Sequence, residues 1–177
     1  MDICYQRIDS PVGLLTVAAH DVGLHAIEFP HERQPRLHAG WRESPHPLID
    51  LAARQLQEYF AGTRHGFELP LAPRGTPFQL AVWLALANIP YGRTTSYAGL
   101  AAQLDRPGAS RAVGAANGRN PLPIVLPCHR VIGADGSLTG FAGGLAVKRF
   151  LLELEGAILP RDLAENLFAA PAQAELA

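Results

Sequence analysis

The sequence predicts a mixed α/β (α+β) protein in two parts, a small sheet-plus-helix N-terminal part and a mainly helical C-terminal part that carries a helix-turn-helix. Two observations carry this prediction. The chain opens with three short, partly alternating apolar runs separated by Ser10-Pro11 and Asp21-Val22-Gly23, which is the pattern of antiparallel strands joined by tight turns. After residue 75 the alternation gives way to apolar residues at helical spacing, punctuated by proline and glycine. With 177 residues and 48% hydrophobic content the chain can bury one domain or two small ones.

Taken in order, residues 5–8, 14–18 and 24–29 are the expected strands. The proline- and histidine-rich stretch 30–47 is a loop. Leu48, Leu51, Ala52, Leu56, Tyr59 and Phe60 then mark one face of a helix that Gly62 stops. Residues 70–75, with two prolines and a glycine, form the linker, so the expected division is 1–75, 76–160 and a tail over 161–177. Thr76 is a good N-cap and Pro77 suits a first helical turn, giving a helix to about residue 88. Ser96 caps a short helix containing Tyr97, Leu100, Ala101 and Leu104, and Arg106-Pro107-Gly108 leads into a second over 109–116 that carries Arg111. Two short helices across a tight turn resemble a helix-turn-helix, a weak signal by itself because many helical hairpins touch no nucleic acid.

Charge strengthens it. Residues 90–149 hold seven basic and two acidic residues, a net charge of +5, which leaves −6 on the remainder of a chain whose total is −1. A basic middle between acidic flanks suits either a polyanion or a solvated arginine-rich face.

The turn cluster 117–121 delivers the chain into the apolar run Pro123-Ile124-Val125-Leu126, which reads as a buried strand closed by Pro127. Cys128, His129 and Arg130 follow. Free cysteine is most often a small buried hydrophobe, but proline before and histidine after make a poor wall for one, and cationic neighbours favour a reactive thiolate. Cys128 is therefore the candidate nucleophile. Adjacent strand residues point to opposite faces, so Cys128 and His129 need a turn or a bridging water to cooperate. Beyond Val131-Ile132, Asp135-Gly136 marks a reversal, and the glycine-rich loop 140–144 lacks the Walker lysine and serine, so close backbone approach to a ligand is its better use. Val147, Phe150, Leu151 and Leu154 predict a helix over about 145–154, stopped by Gly156. Glu155 stands at the negative end of that helix, where a carboxylate is disfavoured by about 0.3–1 kcal/mol, so it is either an exposed last-turn residue or holds a partner such as an imidazole.

Cys4 and Cys128 lack any CxxC spacing, and Cys4 with His20, His25 and His65 is too irregular for a metal site, so no metal and a reducing compartment are expected. No basic-then-apolar leader or membrane-length apolar run occurs, which predicts no membrane association and a cytoplasmic protein.

From Phe78 to Glu155 the motifs Ile89-Pro90-Tyr91-Gly92, Ser96-Tyr97, Arg111-Ala112-Val113-Gly114, Asn120-Pro121, Pro127-Cys128-His129-Arg130-Val131 and Gly143-Gly144-Leu145 resemble the methylated-DNA-protein-cysteine methyltransferases, or 6-O-alkylguanine-DNA alkyltransferases. The likeness covers nearly the whole chain, loosely in the N-terminal half, where it implies a ribonuclease-H-like domain. It implies direct DNA repair: an alkyl group passes from guanine O6, and from thymine O4, to Cys128 once and irreversibly, without a cofactor, by a monomer acting on double-stranded DNA. By this resemblance His129 takes the thiol proton through a water, Glu155 supports the imidazole, and Asn120 braces the active-site turn. Tyr97, Val131, Phe141 and Ala142 line the guanine pocket. Arg111 replaces the flipped nucleotide, and Ser96, Ala112, Asn117 and Arg130 join it at the DNA. Phe141 stands where the family usually has tyrosine and Ala142 where some members have a hydroxyl side chain, departures that bear on alkyl preference. Three rival readings fit parts of the pattern, one of them a non-catalytic alkyl-base sensor resembling this family, against which the retained Cys128 speaks. A DNA-binding regulator would not need Cys128, and a cysteine hydrolase using Cys128, His129 and Glu155 would turn over repeatedly.

Overall fold

The structure, a computed structural model, describes residues 1–32 and 38–160; the expected tail, 161–177, lies outside the described residues. Strands β1 (Ile3–Ile8), β2 (Leu15–His20) and β3 (Gly23–Glu28) form an antiparallel meander, as their alternation predicts. The loop expected over 30–47 contains a fourth strand, β4 (Trp41–Glu43), which pairs parallel to β1 and gives the sheet order β3-β2-β1-β4. Three residues are too few to show a period, and their pairing comes from a distant strand.

Helix α1 (Pro47–Phe60) packs on β2 and β3 through Ile49, Ala52, Leu56 and Tyr59, and Gly62 ends it at φ +77°. The expected linker 70–75 is half structural. Pro70 O accepts from Leu24 N at 2.8 Å and Ala72 N donates to Leu24 O at 2.8 Å, so this segment edges β3 before the chain leaves the sheet. At Gly75 a methyl group would meet the Trp83 ring at 2.5 Å, which requires glycine there.

The C-terminal part begins with α2 (Pro77–Leu86), held by a capping box in which Thr76 and Gln79 bond each other's backbone N–H. β5 (Thr95–Ser96) leads into α3 (Tyr97–Gln103), capped by Ser96 Oγ, and α4 (Ser110–Asn117) packs against both α2 and α3. Trp83 Nε1 donates to Ala116 O at 2.8 Å and ties α2 to α4. A 3₁₀ turn over Cys128–Arg130 precedes β6 (Val131–Ile132), which pairs parallel to β5, and α5 (Leu145–Leu154) closes the fold. One core runs through both parts, from Leu15 and Leu56 through Val82, Leu100 and Val113 to Cys128 and Leu151.

Candidate active site

The run 123–126 is buried, but it is not the strand its composition suggests. Ile124 sits at φ +73°, a strained value for a β-branched residue, and Leu126 N bonds back to Leu122 O at 2.8 Å. Asn120 holds this turn from inside, accepting from Leu122 N at 3.0 Å and donating to Leu126 O at 2.6 Å. An apolar run enclosed on every side needs no period, so composition could not separate turn from strand. The tight turn delivers Cys128 N to Leu126 O at 2.8 Å and starts the 3₁₀ turn that carries Cys128, His129 and Arg130, all three buried.

Glu155 collects that turn. Its Oε1 lies 2.7 Å from His129 Nε2 and accepts from Tyr59 Oη at 2.7 Å and Arg130 Nη2 at 3.0 Å. Its Oε2 accepts from Arg130 Nε at 2.9 Å and Gly92 N at 3.4 Å, while Arg130 Nη1 donates to Ile89 O at 2.6 Å. Gly92 permits this approach: its φ is +74°, and a methyl there would stand 2.9 Å from Glu155 O. Being only 5% exposed, Glu155 is not a solvated last-turn residue. Burial opposes its ionisation, but the hydrogen bonds from His129 and Arg130 hold its carboxyl down at about 2. Burial pushes His129 below its usual range, so the ring is neutral and Arg130 supplies the countercharge. With Nε2–H given to the carboxylate, Nδ1 is left as a buried acceptor with no hydrogen-bond partner among the described residues.

Arg130, expected at the DNA, is instead spent on Glu155, because a guanidinium following a buried turn is stable only when paired. Asn117, also expected there, is buried and donates to Cys128 O at 3.4 Å. Ser96 uses its hydroxyl to cap α3. Arg111 and Ala112 are exposed on α4.

Beside this buried array opens a cavity of about 640 Å³ lined by Tyr97, Arg111, Gly114 and Asn117 on the helix-turn-helix side and by Thr139, Gly140, Phe141 and Ala142 on the other. Tyr97 Oη and Thr139 Oγ1 hydrogen-bond across it at 3.0 Å. Lys148, which sequence reasoning passed over, is fully buried beneath the second wall and donates to Val131 O at 2.6 Å and Thr139 O at 2.7 Å. Its signal was available: a lysine three and four residues before Leu151 and Leu152 lies on the buried face of α5. Burial lowers its ammonium to about 8. Tyr59 lies on the helix face that its spacing predicts, and nothing in that spacing announces a hydroxyl partner 96 residues away.

Neighbouring cations suggested a depressed thiol, but the reverse holds. Burial pushes Cys128 up to about 11, against smaller lowering effects from the Asn120 hydrogen bond and the Lys148 charge. The second cysteine, Cys4, lies in the sheet opposite Ala19.

A buried thiol, a neutral imidazole oriented by a carboxylate, and an open cavity walled by a helix-turn-helix define a thiol-based group-transfer protein. The chain matches the ribonuclease-like domain of 6-O-methylguanine DNA methyltransferase over residues 3–73 and the DNA binding domain of the same over residues 77–157. It is 48% identical to the methylated-DNA–protein-cysteine methyltransferase of Methanosarcina barkeri, over 85% of this chain and 96% of that protein. Against the Mycolicibacterium paratuberculosis protein of that name it is 48% identical, over 90% of this chain and 96% of the relative. The crystal structure of Mycobacterium tuberculosis O6-methylguanine methyltransferase superposes with a TM-score of 0.81 at 48% identity, covering 92% of this chain and 98% of that one. The M. tuberculosis OGT structure in complex with DNA gives 0.82 at 49% identity, covering 86% and 92%. The chain belongs to the 6-O-methylguanine DNA methyltransferase family. Among the described residues no helix is long and apolar enough to cross a membrane.

Proposed function

We propose that this chain repairs alkylated DNA directly, moving the alkyl group from guanine O6 to Cys128 in one step. The observation that carries the reading is the array behind the cavity: Cys128 on a braced turn, with His129 fixed by Glu155 at 2.7 Å. Guanine O6 faces the major groove of a stacked duplex, so its alkyl carbon reaches a buried thiol only when the nucleotide is flipped out. The cavity beside α4 receives it, and exposed Arg111 at the rim fills the gap in the stack.

A thiol at about 11 is ionised to roughly one part in ten thousand at pH 7. Handing its proton to a ring below 6.5 before attack would cost more than about 6 kcal/mol. The proton therefore leaves as the S–C bond forms, through a water to His129 Nδ1, the acceptor that no group among the described residues uses. The C–O6 bond breaks with its electron pair on the guanine, Tyr97 Oη hydrogen-bonds the base as that charge grows, and the guanine then takes up a proton from water. Lys148 draws negative charge toward the sulfur, and Asn120 braces the turn and hydrogen-bonds Cys128. The product thioether is stable, so the protein acts once.

The same attack serves an alkyl group on thymine O4, which presents the same kind of exocyclic ether carbon. Residues 1–75 serve as scaffold and 76–160 as the alkyltransferase domain, a division supported by the two family matches. The protein works as a monomer on double-stranded DNA in the cytoplasm. Peptide mapping after mixing with duplexes bearing 6-O-methylguanine or 4-O-methylthymine tests this. One CH2 mass on the Cys128 peptide, lost in Cys128→Ser, is expected; modification of Cys4, or full transfer by Cys128→Ser, refutes it.

A further inference from the structure

Phe141 is the only large side chain in the loop 140–144, where Gly140 and Gly144 have φ of +29° and +89°. Such a loop does not fix the position of its own aromatic ring. The N-terminal sheet supplies what the loop lacks. Phe29, directly after β3, lies 5.4 Å from Phe141 between ring centroids, inclined at 59°, and is 5% exposed. Its own backbone is anchored: Ile27, two residues earlier, pairs with Val17 and donates to Pro121 O at 2.9 Å, and Phe29 N donates to Glu32 Oε1 at 3.1 Å. Phe141 lines the cavity and Phe29 does not, so Phe29 backs the ring that forms the wall. The fit is tight on the side of the loop as well. A methyl on Gly143 would stand 3.0 Å from the Phe29 ring and 3.1 Å from the edge of Phe141.

We propose that Phe29 is a positioning residue for alkyl selectivity: from the scaffold part of the chain it holds Phe141 against the cavity and thereby sets the size of alkyl group accepted. The inference rests on the alkyl-transfer reading above. Without Phe29, Phe141 retreats into the vacated space and a large group gains relative to methyl. A methyl added at Gly143 pushes the other way, because with Phe29 in place Phe141 can yield only toward the cavity.

The test compares transfer rates to the full chain from one duplex sequence carrying either 6-O-methylguanine or 6-O-benzylguanine, so that binding and flipping contributions largely cancel in the ratio. Phe29→Ala should raise the benzyl-to-methyl ratio about tenfold, the scale on which a methylene-sized misfit changes discrimination. Phe29→Leu, which keeps the fold with less disturbance, should raise it less. Gly143→Ala should lower it, and should do so much less in the Phe29→Ala or Phe29→Leu background, a non-additivity expected of groups in contact. The titration of Cys128 should not move in any of them. A merely structural role would lower thermal stability and both rates together. An unchanged or lower ratio in folded Phe29→Leu, or a Gly143→Ala effect independent of residue 29, overturns the proposal. Absence of transfer to Cys128 from either duplex in the unaltered protein overturns the functional reading instead, and the proposal with it.

Discussion

Glu155→Gln removes one charge from the most connected carboxylate in the molecule while keeping its shape. In the native array Glu155 accepts from Tyr59, His129, Gly92 and twice from Arg130. An amide offers one acceptor oxygen, and its NH2 would face a guanidinium that is also only a donor. Arg130, with a side chain 7% exposed, is left without a countercharge, which typically costs about 3–5 kcal/mol for a broken buried pair. Urea unfolding at pH 7 should register a loss of that size. Chemically, the neutral amide no longer stabilises the imidazolium that forms as His129 takes the thiol proton, so single-turnover transfer from a methylated duplex should slow by about 10²–10⁴, the usual worth of a general base. Raising the pH toward the thiol's own value of about 11 should partly restore the rate, because ionised Cys128 no longer needs the base. A folded Glu155→Gln protein with native stability and an unchanged rate at pH 7 would refute the reasoning.

Other expectations follow from the same geometry. Acid should destabilise the protein in two stages. Burial holds His129 neutral, so stability present above its ordinary 6.5 is lost as pH falls below that value; Glu155 contributes stability present above its ordinary 4.5 and lost as pH falls through about 2, worth about 3 kcal/mol, and chemical denaturation from pH 7 to 2 measures both. Lys148→Met should slow single-turnover transfer at pH 7, where the ammonium, held at about 8, is still charged and favours negative charge on the sulfur, and the gap to the unaltered protein should narrow as pH rises above 8; an unchanged rate at pH 7 contradicts it. Arg111→Ala should slow repair of duplex DNA far more than attack on free 6-O-benzylguanine, which needs no flipping, whereas equal losses would place Arg111 in folding or chemistry.

What could be read from the sequence follows the range of the interactions involved. β1 to β3, α1 and α5 carry their own period, and Thr76 and Ser96 cap their helices by bonds to residues three positions on, so these were legible. β4 was not, because three residues show no alternation and their partner strand lies almost forty residues away. The partnership of His129 with Glu155 was suggested by a carboxylate at the wrong end of a helix. That Arg130 and Tyr59 share the carboxylate could not be seen, since the first bond depends on the return of α5 to the 3₁₀ turn 25 residues earlier and the second on how the two parts of the chain pack. The thiol is the instructive failure. Its sequence neighbours are cationic, but Arg130 is neutralised by Glu155 and His129 is uncharged, so burial decides the outcome and raises the pKa. Activation then belongs to the moment of transfer rather than to the resting protein.

The most direct test of the account is a titration of the unaltered protein with a duplex bearing one 6-O-methylguanine, followed by intact-protein mass and peptide mapping. With DNA in excess, the account predicts that the protein gains one CH2 mass on Cys128, that an equal amount of guanine is restored, and that the reaction stops there. Continued demethylation by already alkylated protein, or restored guanine without a mass gain at Cys128, would contradict it.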